Sequence, residues 1–528
     1  MKNRFSMRST FIFLGMLLVL ATWYGFFRIV DEPPHPIHAW RNTDCLSITL
    51  NYHDNGMVFS EPAIHNYISD DYTSGKTAGE FPGWYYAMAA LWKTFGVSET
   101  LYRSMVALLF VLALFAVQRA LLRVTNEFWS VALTLWLFVQ PALVYYAFGF
   151  LSNVPALSFA LFGGAAYVFF ALNGRMRWLW IATACFALGA LLKITALLLF
   201  CTLVGLILLE WMGLKLWPKR KLFPQPLKQL AILFTALLPV FAWYMWAADY
   251  NASHGGKYTF NGIWPLWEAD AALQAAIWDG IRQFTARQIM APVNWLIALG
   301  GLVVVAVQVR KIPLLLAALP LIFFMGSLVY AILWFQAWKD HDYYFIDLYV
   351  WPLLVLVALV AAARYRKVNT LVERSLRAVF VVLLAWSALY TQEHLALRYT
   401  ANYDDSYITA TDYEEGHLKY VHWDMMRNEY GLLGISPVLE AHGITKDTPV
   451  ISIPDASFCI TLYFMDRRGY TNMGDFNRTP ESVRENIARG AKYLIVNESE
   501  YEDDFPWVRE FMHTPVLTHN NIRVFDLR

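Results

Sequence analysis

The chain has 528 residues, 58% hydrophobic and only 16% charged, against about 45–50% and about 25% in an ordinary soluble protein, which argues against a soluble enzyme. Lys plus Arg number 42 and Asp plus Glu 41, a formal charge of +1, so no basic excess attracts a nucleic-acid backbone, and nucleic acid is excluded as a partner. The 4 cysteines, two of them in apolar runs, have neither the spacing of a disulfide framework nor that of a paired-cysteine zinc site.

Crossing about 30 Å of hydrocarbon takes about 20 apolar residues. Eleven stretches approach that length, near 11–30, 101–122, 128–147, 152–172, 177–192, 195–212, 229–248, 291–309, 313–334, 344–363 and 376–391. Lys2, Arg4 and Arg8 precede the first as in a secretion signal, but its apolar run is too long and no small-residue cleavage pattern follows, so it reads as a retained anchor. With the N-terminus inside, nineteen basic residues fall in the inner segments, among them Lys215, Lys219, Arg220, Lys221 and Lys228, and ten in the outer ones, Lys257 included. Short basic loops stay on the cytoplasmic side. The expected architecture is a polytopic α-helical membrane protein, N-terminus in, whose transmembrane domain spans 1–394 with outer loops 31–100 and 249–290. Residues 395–528 form a small extracytoplasmic α/β domain. In that tail 448–453 and 493–496 read as strands, and 480–489 reads as a helix capped by Thr479.

The polar groups bordering the apolar runs fall on the outer side, and each has two readings. Arg41 and Asp44, three apart, share a helical face: Asp44 can take a proton from a hydroxyl, or the two form a surface ion pair. Glu80, before Pro82, can bind a metal or a sugar hydroxyl, or can sit at the start of the helix that Pro82 opens. Lys193, between apolar residues, suits a phosphate at headgroup height, or snorkels to the outer interface. Arg282 and Arg287 are further phosphate candidates or a solvated helix face. In the turn 338–344, His341 can bind a metal or a phosphate, and the Tyr343 and Tyr344 hydroxyls can donate to a phosphate oxygen. An interfacial aromatic belt accounts for the tyrosines but not for His341. The tail's ionisable residues show no acid–base pair, so the tail reads as a helper.

An acidic residue after the first span, a Glu-x-Pro element in the same loop, many spans, a His-x-Tyr-Tyr turn before a late span and a soluble tail together resemble the C superfamily of membrane glycosyltransferases. The similarity is to the family 39-like branch of protein O-mannosyltransferases and lipid A aminoarabinose transferases. It covers about the first 390 residues and rests on the order and common side of short motifs. The resemblance implies sugar transfer from a polyprenyl phosphate-linked donor to a glycan, lipid or protein acceptor, at the outer face of a bacterial inner membrane. Asp44 would be the base, and Arg41, Glu80, Lys193, His341, Tyr343 and Tyr344 would hold the donor. Relatives often carry an aspartate where this chain has Asn153, a second polar position that binds a hard cation poorly. A divalent metal is therefore left open, with Glu80 and His341 as its candidate ligands. The competing class is a transporter or flippase of lipid-linked sugars. Such proteins usually show repeats and mid-bilayer charge, whereas here no repeat is visible and the charges gather on one side.

Overall fold

In hydrocarbon every backbone N–H and C=O must be bonded within its own segment, so the apolar runs fold as helices. A computed structural model describes residues 7–218, 220–256, 262–404, 406–408, 410–473 and 478–528. Lys2, Arg4, Lys219 and Lys257, which counted toward the orientation, lie outside them. Among the described residues six helices are long and apolar enough to cross a membrane: Glu99–Val124, Asn153–Asn173, Ile194–Trp211, Pro226–Ser253, Leu314–Leu333 and Asp342–Tyr365. The expected span 128–147 is broken, Glu127–Leu137 and Pro141–Ala147 meeting at 77°, and the span 291–309 follows a 95° bend from Ala271–Ile289 to Pro292–Val307. Pro141 and Pro292 open the second helix of each pair, where a missing N–H costs nothing and the ring forbids continuation from the preceding turn. The other three expected spans fall on Met7–Trp23 and Met176–Leu192, of 17 residues each, and on Thr370–Thr400, which runs across positions 394 and 395. The expected eleven thus stand at six, or eight with each bent pair counted once.

The first outer loop folds onto the helical body. Its helix Ala39–Asp54 is rich in polar residues, yet Arg41, Asp44, Ser47 and Asn51 on it are all buried. The helix Gly83–Phe95 starts just after Pro82, as the sequence suggests. Between the two, the chain winds around Asp70, whose carboxylate accepts N–H bonds from Ser74 at 3.0 Å, Gly75 at 2.9 Å and Lys76 at 3.1 Å, and the hydroxyls of Thr73 and Ser74. Gly75 has φ +80° and sits so close to Ile64 that a Cβ would lie 2.2 Å from its carbonyl oxygen, so only glycine fits this turn.

The tail carries a five-stranded sheet of β1 (Val450–Ile453), β2 (Gly469–Tyr470), β3 (Tyr493–Val496), β4 (Pro515–His519) and β5 (Ile522–Asp526), in the order β2-β1-β3-β5-β4. Strands β2, β1 and β3 are parallel, and β5 and β4 continue the sheet antiparallel. Every residue of β1 and β3 is buried, as expected of parallel strands covered on both faces. The helix Pro480–Ala488 is capped by Thr479, whose side chain accepts the Ser482 N–H at 3.3 Å. Beyond β2 the sheet reaches the first outer loop. Asn66 bridges Gly469 in parallel, the Gly469 N–H donates to the His65 carbonyl at 3.1 Å, and Asn66 Nδ2 donates to the Phe458 carbonyl at 2.9 Å.

Burial pushes the Asp70 carboxyl up, but the donors of Ser74, Gly75 and Lys76 outweigh it and hold it below the ordinary value of 3.8. A lowered folded-state value means that this stabilisation is complete above the unfolded value and is lost as pH falls through the folded one. Acid titration of loop stability by hydrogen exchange is expected to show protection of residues 73–76 falling below about pH 4. In Asp70→Asn the same amides are expected to be weakly protected at every pH.

Candidate active site

The first outer loop, the helix break at residue 193, the turn before helix Asp342–Tyr365 and the tail together line a cavity of about 780 Å³. Arg41, Glu80, Lys193, His341, Tyr343 and Tyr344 all line it. Arg41 is on the first turn of Ala39–Asp54, and Glu80 stands just before Pro82. Lys193 ends the helix Met176–Leu192 in an extended conformation before the 3-10 turn Ile194–Ala196. Its ammonium lies 5.1 Å from the centre of the Tyr344 ring, a cation–π contact on the cavity wall. The Tyr343 and Tyr344 rings stack at 4.9 Å. Aromatic and apolar side chains, among them Trp264, Trp334, Tyr244 and Ile194, complete the wall, and the tail contributes Phe458 and Met473.

Glu80 is the electrostatic centre of this wall. Its Oε1 accepts from Arg41, from the Ser152 hydroxyl at 2.8 Å and from the Tyr85 hydroxyl at 3.0 Å. Burial pushes the carboxyl up, but the charges of Arg41 and Lys193 and the Ser152 hydrogen bond overcome it and hold it at about 2. Glu80 is therefore a fixed negative charge that orients cations and is too weak a base to collect a proton near neutrality. Burial and the neighbouring His38 lower the His341 imidazole to about 4, so it is neutral at pH 7 and has a lone pair.

Four of the residues picked from sequence are not on the wall. Asp44 is fully buried one turn below Arg41, its Oδ2 3.9 Å from Arg41 Nη1, and does not line the cavity. Asn153 is also buried, its Nδ2 3.4 Å from the Tyr343 carbonyl, where it props the aromatic turn. Arg282 pairs with Asp279 at 2.8 Å and Arg287 with Glu414 at 2.9 Å, and neither lines the cavity.

Sequence reasoning passed over His38. It precedes Ala39–Asp54 with φ +55°, a conformation uncommon outside glycine, and its ring lines the cavity. His38 Nε2 lies 3.4 Å from Asp342 Oδ1. Asp342, fully enclosed, also accepts from the Tyr146 hydroxyl and from Arg398, and Arg398 is tied in turn to Gln288 at 2.8 Å. Thr195, on the cavity wall, donates to the buried Asp347. The one available signal was three histidine or carboxylate positions beside prolines and tyrosines, too diffuse to pair His38 with a residue three hundred positions away.

Among the described residues no group of three His, Cys, Asp or Glu is placed to hold a metal ion. Glu80 Oε1 already accepts from Arg41, Tyr85 and Ser152, and Asp342, the buried carboxylate beside His341, is taken by His38, Tyr146 and Arg398. These residues do not fit a family-style metal site.

No family model matches the sequence, and no curated protein matches it. Solved structures do. The ArnT protein of Cupriavidus metallidurans bound to undecaprenyl phosphate superposes with a TM-score of 0.56 at 13% identity, over 99% of this chain and 98% of that one. The apo oligosaccharyltransferase of Archaeoglobus fulgidus gives 0.51 at 12% identity, over 95% of this chain and 73% of that one. The arabinofuranosyltransferase AftD from Mycobacteria gives 0.50 at 14% identity, over 97% of this chain and 40% of that one. The chain shares the fold of these solved membrane glycosyltransferases. It is an integral membrane protein of that fold, and the match extends through the tail, further than the 390 residues expected from sequence.

In this fold the Arg41–Glu80 pair joins the two halves of the first loop. Glu80→Gln takes from Arg41 its nearer carboxylate, and thermal unfolding of the purified protein in detergent is expected to show a loss of about 3 kcal/mol. Because the folded carboxyl lies at about 2 against an ordinary 4.5, the wild type keeps this contribution above about pH 4.5 and loses it only as pH falls toward 2. The variant lacks it throughout.

Proposed function

We propose that the protein is a glycosyltransferase that moves a sugar from a polyprenyl phosphate-linked donor onto a glycan, lipid or protein acceptor at the extracytoplasmic face of the membrane. The observation that carries this reading is the single cavity shared by Arg41, Glu80, Lys193, His341, Tyr343 and Tyr344. Its wall combines cations and phenols with an apolar lining of Trp264, Trp334 and Ile194, as a phosphorylated lipid requires. The fold shared with a protein solved with undecaprenyl phosphate supports the donor class. The crowding of inner segments with Lys and Arg supports a cavity on the outer side.

The acceptor hydroxyl oxygen attacks the anomeric carbon. A new carbon–oxygen bond forms as the bond to the phosphate breaks, the electron pair stays on the phosphate oxygen, and direct attack inverts the anomeric configuration. Lys193 and Arg41, with the Tyr343 and Tyr344 hydroxyls, stabilise the charge growing on the departing polyprenyl phosphate. Glu80 keeps Arg41 in place. Two groups contend for the hydroxyl proton. His38 lines the cavity, and with Nε2–H directed at Asp342 its Nδ1 carries the lone pair, the usual build of a general base oriented by a carboxylate. Asp44, the base implied by the family resemblance, lies behind Arg41 and would act only after Arg41 shifts.

Transfer from a panel of polyprenyl phosphate sugars by the reconstituted protein tests both the function and the base. His38→Gln is expected to lower turnover by roughly 10²–10⁴-fold with donor binding retained, and Asp44→Asn to cost much less. The reverse ranking assigns the base to Asp44, and no transfer from any phosphate-linked donor would sink the reading. Lys193→Met is expected to weaken binding of a phosphorylated lipid analogue more than Lys193→Arg, since arginine keeps the charge. Equal affinities of Lys193→Met and wild type would remove Lys193 from the phosphate site.

A further inference from the structure

The tail holds a second polar centre that sugar transfer does not use. Strand β1 connects through the helix Ile460–Met465 to β2 on one side and lies beside β3 on the other. Where neighbouring parallel strands connect in opposite directions, a crevice opens at their carboxyl ends, and α/β sheets take their ligands there. Asp455 stands just beyond β1 and Asn497 just beyond β3. The helix Asp412–Asn428 ends against them with Glu429 as its C-cap. One side chain ties the three segments together, for Asn497 Nδ2 donates to the Asn428 carbonyl at 2.7 Å and to the Pro454 carbonyl at 2.8 Å.

Three oxygens on these residues, Asn428 Oδ1, Glu429 Oε2 and Asn497 Oδ1, have no hydrogen-bond partner. Their side chains belong to residues only 9%, 6% and 0% exposed. The amide groups are not open to reversal: two carbonyls fix Asn497 Nδ2, and Asp424 Oδ1 at 2.8 Å fixes Asn428 Nδ2. Among the described residues no cation donates to the three oxygens, and the nearby Arg427 is paired with Glu498 and lies over the Trp423 ring. The enclosed Asp455 is satisfied by the N–H groups of Ser457 at 2.7 Å and Thr461 at 2.9 Å and by the Thr461 hydroxyl at 2.6 Å. It adds negative field and no donor, and the carboxyl end of the helix adds more. Burial, then Asp455 and Asp424, push the Glu429 carboxyl up to about 10. One water offers two hydrogens, too few for three acceptors, whereas a hard cation is served by oxygens without any donor.

We propose that the crevice at the carboxyl ends of β1 and β3 is a calcium site, with Asn428, Glu429 and Asn497 as protein ligands and water in the remaining positions. Its ligands are one carboxylate and two amide oxygens, a set that calcium accepts and zinc does not. The ion pins the end of the helix Asp412–Asn428 to the sheet. On that helix Glu414 accepts from Arg287 at 2.9 Å and from Gln288 at 2.6 Å, and Gln288 holds Arg398. The site is independent of the transfer reaction, and its test needs no substrate.

The full-length protein, stripped with EDTA in detergent, is titrated with calcium chloride by calorimetry and unfolded thermally with and without the ion. One saturable calcium site and a raised unfolding temperature are expected, with magnesium chloride binding more weakly. Glu429→Gln, which keeps size and shape, is expected to weaken calcium binding by at least about tenfold, and Asn428→Ala likewise. Wild-type protein that binds no calcium, or Glu429→Gln that binds it as tightly as wild type, overturns the proposal and leaves the oxygens to water or to the Glu429 proton. If Glu429→Gln does not fold, Asn428→Ala and the wild-type titration decide alone.

Discussion

Burying a carboxylate where protein meets bilayer costs several kcal/mol unless donors replace its water. Glu80 meets that requirement with Arg41, 39 positions away, with Ser152, 72 positions away, and with Tyr85 on the helix that follows it. The first outer loop is therefore anchored at a point rather than draped over the helices, and the wall bearing Lys193 and Arg41 inherits its geometry from that point. Asp342 is a second anchor of the same kind, gathering Tyr146, His38 and Arg398 from three other segments. Both anchors leave cationic or imidazole groups facing the cavity with little freedom to move, which is what stabilising charge on a leaving phosphate demands.

How far the sequence reveals this depends on the range of the interaction. Lys193, His341, Tyr343 and Tyr344 stand out because charge and phenol density beside apolar runs is a local signal, and all four reach the cavity. The strands at 450–453 and 493–496 and the Thr479 cap are equally local, and they appear within two residues of expectation. Asp44 shows the limit. An aspartate three positions after an arginine looks the same in sequence whether the helix turns it toward the cavity or the core, and here it faces the core. His38 and Arg398 escape notice because each acquires meaning only through Asp342, which is remote from both in the chain. The helix boundaries are harder to read, because hydropathy windows add up apolar residues without registering the bends ahead of Pro141 and Pro292.

The tail is less separate than its composition suggests. Gly469 lets β2 approach β1 so closely that a Cβ would lie 1.9 Å from the Val450 carbonyl, and the same residue hands the sheet on to His65 and Asn66 of the first loop. Phe458 and Met473 then reach the cavity from the tail side. In this arrangement the tail shapes the cavity, while the charged groups on its wall belong to the loop and the helices.

The order in which the cavity wall is made has a consequence for biosynthesis. Its residues run from His38 to Met473, so the first loop leaves the ribosome long before the tail that completes it. During that interval Glu80 can already find Arg41 and then Ser152, because these are translated early. The contacts of Asn66 with Phe458 and Gly469 must wait for the last segment. A chain stalled or cleaved before the tail would thus carry its charged groups in an open half-site. Assembly late in synthesis keeps the cavity incomplete until the last segment is made.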